Sequence, residues 1–164
     1  MVQYEATVTK AIFAAAIAQN AGANYDVPIP GNIGAPYGEA ACRINSIVVI
    51  SEENLDWEIW LWSTSAHSSN RNLDSWLGRW SFVAGDAVTE TADPSTSYRY
   101  FIPDLNVPYR DDDTQSPTND STVTGKVANG RIHMTLIPRG AAHVINKEIV
   151  IKFFCEPDSV RAMA

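Results

Sequence analysis

Hydrophobic and polar positions alternate along most of this chain with the two-residue period of β-strands, not the 3.6-residue period of helices. The sharpest instance is residues 44–62, where INSIVVI and WEIWLW are separated by the polar segment SEENLD. Val, Ile and Trp favour strands, and a short polar break between two such runs predicts a β-hairpin. Within the second run Trp57, Ile59 and Leu61 fall on one face, and Glu58, Trp60 and Trp62 on the other. Both faces are mostly apolar, which predicts a central strand covered on both sides.

The same period recurs elsewhere. Residues 2–8 alternate as a first strand, and the Ala-rich residues 10–19 fit either a short helix or a buried extension of that strand. Residues 20–40 hold so much Gly, Pro and Asn that regular structure is not expected. They predict an extended arm with Tyr25, Val27, Ile29, Ile33 and Tyr37 as apolar anchors. A polar stretch covers 63–72, and residues 76–83 predict a strand with Trp80 and Phe82 on one face. Residues 97–102 set Tyr98, Tyr100 and Ile102 against Arg99 and Phe101, and 103–117 read as a loop. Residues 121–127 and 131–137 flank Asn129-Gly130, the strongest short hairpin signal, and Ile132, Met134 and Leu136 share a face. After a loop at 138–146, residues 147–155 close the pattern with Ile149, Ile151, Phe153 and Cys155 on one side.

About eight strands and no long amphipathic helix predict an all-β chain. The expected architecture is a single domain, 1–164, folded as an antiparallel β-sandwich of jelly-roll type. The Pro/Gly-rich residues 20–40 form its N-terminal arm. An immunoglobulin-like order is the alternative, because alternation does not order strands.

Composition narrows the function classes. With 45% hydrophobic and 19% charged residues in 164, the chain can bury a sizeable core and is too apolar for disorder. A net charge of −7 argues against nucleic-acid partners, which need a basic surface. The charge is uneven: residues 1–125 carry six basic and sixteen acidic side chains, whereas 126–164 carry six and three. Such a dipolar subunit is suited to packing acidic side against basic side. AIFAAAIA (11–18) is too short to span a membrane. The strand-like, Glu5-containing segment before it, with only Lys10 as a cation, argues against a signal peptide. Cys42 and Cys155 match no zinc spacing, and Cys155 on the inward face of the last strand is expected to be a buried free thiol.

Motifs for chemistry are few. There is no nucleophile elbow, no phosphate-binding glycine loop and no dinucleotide fingerprint. His67, His133 and His143 are isolated in sequence; His67 neighbours Ser65 and Ser68, and His133, alternating with core positions, is expected at the surface or partly buried. Asp104, Asn106, Asp111, Asp112 and Asp113 offer oxygens to calcium, but without EF-hand spacing they are expected to face water. Asn119-Asp120-Ser121 is a glycosylation sequon of the kind that arises by chance. The tryptophans favour core or interface; the alternative is a sugar-stacking platform of Trp60, Trp62, Trp76 and Trp80. The expectation is therefore a non-enzyme without cofactors or bound metal.

Three segments, RINSIVVISEENLDWEIWLW (43–62), YRYFIPDLNVPY (98–109) and HMTLIPRGAAHVINKEIVIKFFCEP (133–157), give the chain its character. In these it resembles virion structural proteins of tailed bacteriophages, most nearly capsid decoration or cement proteins. The resemblance lies in a compact β-domain with a long arm, acidic balance and no catalytic motif, and it transfers no site residue. It implies location on the capsid exterior after synthesis in the host cytoplasm. The implied partners are the major capsid protein and copies of itself in a trimer or other symmetric homo-oligomer, without nucleic acid or membrane.

Overall fold

A computed structural model describes residues 4–8, 16–28, 41–64, 73–92, 95–112 and 131–157. These residues form ten strands: β1 Tyr4–Val8, β2 Ala23–Pro28, β3 Ala41–Ser51, β4 Asp56–Trp62, β5 Trp76–Phe82, β6 Val88–Ala92, β7 Ser95–Ile102, β8 Val107–Arg110, β9 Arg131–Arg139 and β10 Ile149–Pro157. One sheet runs β1-β10-β3-β7-β6, with β8 also on β3; the other runs β2-β9-β4-β5. All pairings are antiparallel. The pairs are nested: β1 with β10, β2 with β9, β3 with β7 and β8, and β4 with β5. A long hairpin rolled into two sheets has this order, so the sandwich is a jelly roll, with β6 added at one edge.

The core lies between the sheets and follows the alternation of the strands. Ile149, Ile151, Phe153 and Cys155 of β10 and Ile44, Ile47 and Val49 of β3 come from one side. Trp57, Ile59 and Leu61 of β4, Val27 of β2, and Ile132, Met134 and Leu136 of β9 come from the other. Burying a side chain of this size contributes about 1.5–3 kcal/mol, so these two layers hold the sheets together. Cys42 and Cys155 are both buried and are not joined in a disulfide, as the periodicity of the last strand predicts for the buried thiol of Cys155.

Two irregularities let the pattern fit. In β3 the inward residues step from Ile44 to Ile47, an odd interval that would turn half the strand outward. The register with β10 shifts there, Cys155 facing Ile44 and Phe154 facing Ser46, so Asn45 forms a bulge. The Asn45 carbonyl accepts the Leu105 N–H at 2.9 Å. Asp104 and Asn106, both at positive φ, break the neighbouring chain into β7 and β8 at the same level. In β5, Gly78 adopts φ +146°, and a Cβ there would lie 3.2 Å from the Trp80 ring. A glycine thus allows Trp80 to lie across its own strand.

The structure corrects three expectations. Residues 44–62 are not a hairpin: β3 and β4 belong to different sheets and face each other across the core. The polar break marks a chain reversal, yet it lacks an Asn-Gly-type turn that would set the two strands side by side. Its groups are instead bonded to other parts of the fold. Tyr100 Oη lies 2.8 Å from the Leu55 carbonyl and 3.1 Å from Asn54 Oδ1, and the Glu52 and Glu53 carboxylates accept the Glu148 and Val144 N–H groups. Second, the arm is not wholly irregular. Ala23–Pro28 pairs with β9 along its length, and Tyr25 and Val27, alternating on the inward side, supply the apolar contacts. Third, Val107–Arg110, inside the expected loop, pairs with the first residues of β3. Residues 29–40, the first arm of the hairpin at 121–127 with its Asn129-Gly130 turn, and 9–15 of the Ala-rich segment lie outside the described residues. Among the described residues no helix is long and apolar enough to cross a membrane.

Candidate functional site

The titratable side chains that the fold gathers lie on the outer face of β2-β9-β4-β5, where sheet register sets them in rows. His133 stands between Asp26 and Trp62, and Thr135 between Asn24 and Trp60. Ile137 stands beside Glu58. In an exposed sheet these outward positions would be solvated. Here His133, Thr135, Ile137, Glu58 and Trp62 are all buried.

His133 is the centre of the first row. Its Nδ1 lies 2.6 Å from Asp26 Oδ1 and its Nε2 2.9 Å from Asp111 Oδ1. Asp111 continues the inward alternation of Val107 and Tyr109 just past β8 and reaches round the start of β9, where its other oxygen accepts the Arg131 N–H at 2.7 Å. His133 and Asp111 are 2% and 3% exposed. Burial alone would lower the imidazole pKa, but hydrogen bonds to Asp111 and Asp26 outweigh it and the net direction is up. An imidazole with an ionised carboxylate at each nitrogen satisfies both only as the doubly protonated cation.

Tyr109 closes this end of the sandwich. Its hydroxyl accepts the His133 backbone N–H at 2.9 Å and lies 2.8 Å from the carbonyls of Trp62 and Arg131. One side chain from the larger sheet thus ties together two strands of the smaller. Burial moves the phenol pKa strongly upward, so this hydroxyl stays protonated.

In the next rows the Trp62 indole N–H donates to Thr135 Oγ1 at 3.0 Å, and that hydroxyl donates to Asn24 Oδ1 at 2.7 Å. Glu58 accepts the Trp60 indole N–H and the Arg139 Nε–H, the latter at 3.1 Å, with Arg79 3.8 Å away. Burial raises the Glu58 pKa, but the Trp60 and Arg139 hydrogen bonds and both guanidinium charges outweigh it, so the net direction is down.

The candidate residues are therefore redistributed. Trp60, Trp62 and Trp76 meet on this face, with ring centroids about 6 Å apart (6.0 and 5.9 Å) and planes inclined by 42° and 52°. They do not make a flat platform. Trp80 pairs opposite Ile59 on the inward side and packs against the core, so it does not join them. Trp57 is buried in the core. His133 is not at the surface, because two carboxylates compensate its burial. Asp111 does not face water, because it is bonded to His133 and Arg131. Asp112 pairs with Arg110 at 3.6 Å, and Asn106 accepts from Arg43 at 2.6 Å, at the β7–β8 kink. Among the described residues no group of three or more His, Cys, Asp or Glu is arranged to hold a metal.

His143 sits apart from this face. It is fully buried, its Nδ1 is bonded to Glu53, and its ring lies 5.7 Å from that of Trp57. Its backbone bridges to Ile17, so it fastens the 140–148 loop over the β3–β4 connection. His67, Asp113 and Asn119 lie outside the described residues. Sequence reasoning missed Asp26, which it assigned to an arm. The signal was the alternation Asn24, Asp26 against Tyr25, Val27.

The outer face of the larger sheet differs. Val48, Ile50, Val88, Phe101, Val150 and Phe154 alternate outward with Arg99 and Lys152 among them. Phe101 is 60% exposed and Val88 61%.

A scan of the sequence against protein-family models finds no match, and a search of curated proteins finds none.

Proposed function

We propose that this chain is a non-enzymatic structural subunit of a tailed-bacteriophage virion. In this reading it is a decoration or cement protein that binds the major capsid protein and further copies of itself on the capsid exterior. The observation that carries the reading is the outer face of β3, β6 and β7, where Phe101 of β7 and Val88 of β6 stand exposed near the buried Val48 and the half-buried Ile50. Contiguous apolar area of this kind marks a surface that another protein covers. The fold is compatible with it, since jelly rolls build capsid proteins, but they also build lectins, so the fold alone does not decide. The rings of Trp60, Trp62 and Trp76 are mutually inclined and Trp62 is buried, so they give less support to sugar stacking even though Trp76 is exposed. His133, the imidazole set between two carboxylates among the described residues, is buried.

Binding that favours the assembled shell stabilises it by mass action, and each copy adds buried interface. The test is quantitative mass spectrometry of particles purified from the lysate in which this chain is expressed. The expected result is a copy number equal to that of the major shell protein, or a simple fraction of it. A trace amount would overturn the reading.

A further inference from the structure

We propose that the Asp26–His133–Asp111 bridge is a protonation-dependent latch, closed while His133 carries both ring protons, that fastens edge strand β2 to β9. Three separate elements meet in it: β2 supplies Asp26, β9 supplies His133, and the chain leaving β8 supplies Asp111. Other titratable and charged groups surround the ring. From β8, Tyr109 directs its hydroxyl to backbone groups, and Cys42 stands opposite Tyr109 on β3. Arg110 pairs with Asp112, the Arg131 side chain is exposed, and Trp62 of β4 carries no charge.

A neutral imidazole has one N–H and one lone pair. Loss of a proton therefore sets a bare nitrogen against a carboxylate oxygen at 2.6 or 2.9 Å, and one arm must open. The two arms are unequal. Asp111 is buried and also anchored by the Arg131 N–H, whereas the Asp26 side chain is 34% exposed at the sheet edge and can turn to water. The neutral ring keeps its proton on Nε2, towards Asp111, and the Asp26 arm opens. β2 is released before the chain after β8.

The direction with pH follows from linkage. The folded pKa lies above the ordinary 6.5, so the latch is at full strength below pH 6.5 and is lost as pH rises through the folded value. Nothing in this depends on which partner covers the outer face of the larger sheet.

The test is NMR on the intact protein between pH 5 and 9. Imidazole ¹⁵N shifts should show both His133 nitrogens protonated at low pH and the Nε2–H form after titration. Hydrogen-exchange protection of Ala23–Pro28 should fall as pH rises through the folded His133 value, by at most about tenfold per pH unit. Edge strand β6 is the internal reference, because its local opening leaves His133 in place, and its protection should stay level. In Asp26→Asn, the pH dependence of β2 protection should disappear and the His133 titration should move towards 6.5. Titration of wild-type His133 at or below 6.5, a neutral ring protonated on Nδ1, or β2 protection indifferent to pH would each overturn the latch.

Discussion

The outer faces of the two sheets are made of opposite materials. On the four-stranded sheet, outward positions hold His133, Thr135, Glu58 and Trp62, and each is buried with a hydrogen-bond partner across strands. On the six-stranded sheet the outward positions of β3 and β7 hold Val48, Ile50 and Phe101; Val48 is covered by its neighbours and Ile50 partly so, whereas Phe101 is 60% exposed. A polar face can complete itself, because every donor that meets an acceptor removes a reason for another molecule to bind. An apolar face cannot, because only a further surface removes its contact with water. The difference separates a side of the molecule that specifies its own packing from one available to a neighbour.

The largest way to break the comparison is His133→Ala. It leaves Asp26 and Asp111 facing each other without the cation between them, and removing one member of a buried charge set costs about 3–5 kcal/mol. Urea denaturation at pH 6 should show that loss in full; a change smaller than about 1 kcal/mol would mean that the bridge does not hold the face closed. Glu58→Gln comes next. It keeps an acceptor for the Trp60 N–H but removes the charge that binds Arg139, so we expect a loss of about 1 kcal/mol at pH 7. Glu58 has a folded pKa below the ordinary 4.5, so its contribution is present above that value and lost as pH falls through the folded one. The acid limb of the stability curve should therefore be shallower in the variant. The smallest effect on folding is expected from Phe101→Ser, less than about 1 kcal/mol for an exposed strand position. Its effect should appear in association instead, as weaker binding to particles in a sedimentation assay. Unchanged binding would remove this face from the proposed contact.

Much of this contrast was legible before any strand was placed. The inward residues of β4, β9 and β10 followed from alternation alone, because a two-residue period has one solution once a face is apolar. Pairing was harder. SEENLD announces a reversal, but reversal within a sheet and reversal between sheets use the same residue types, so the partner of β3 could not be read locally. β6 was overlooked because VTETA, an edge strand, carries little apolar signal, and β2 because Pro28 and the glycines around it masked the alternation of Tyr25 and Val27. Asp26 and Asp111 lie 107 and 22 residues from His133 in sequence. Nothing in their spacing joins them, since they meet only when β2 and the end of β8 arrive at β9 from opposite sides.

The nested pairing also has a consequence during synthesis. β10 occupies the slot between β1 and β3, and β9 the slot between β2 and β4, so two strands made after these neighbours fill interior places in both sheets. Until residues 149–157 emerge, β1 and β3 carry open hydrogen-bonding edges that a neighbouring nascent chain can pair with. Translation stopped before Ile149 would not yield a molecule one strand shorter. It would yield one in which β1 has lost its partner and β3 is left with an open edge, a natural client for a chaperone.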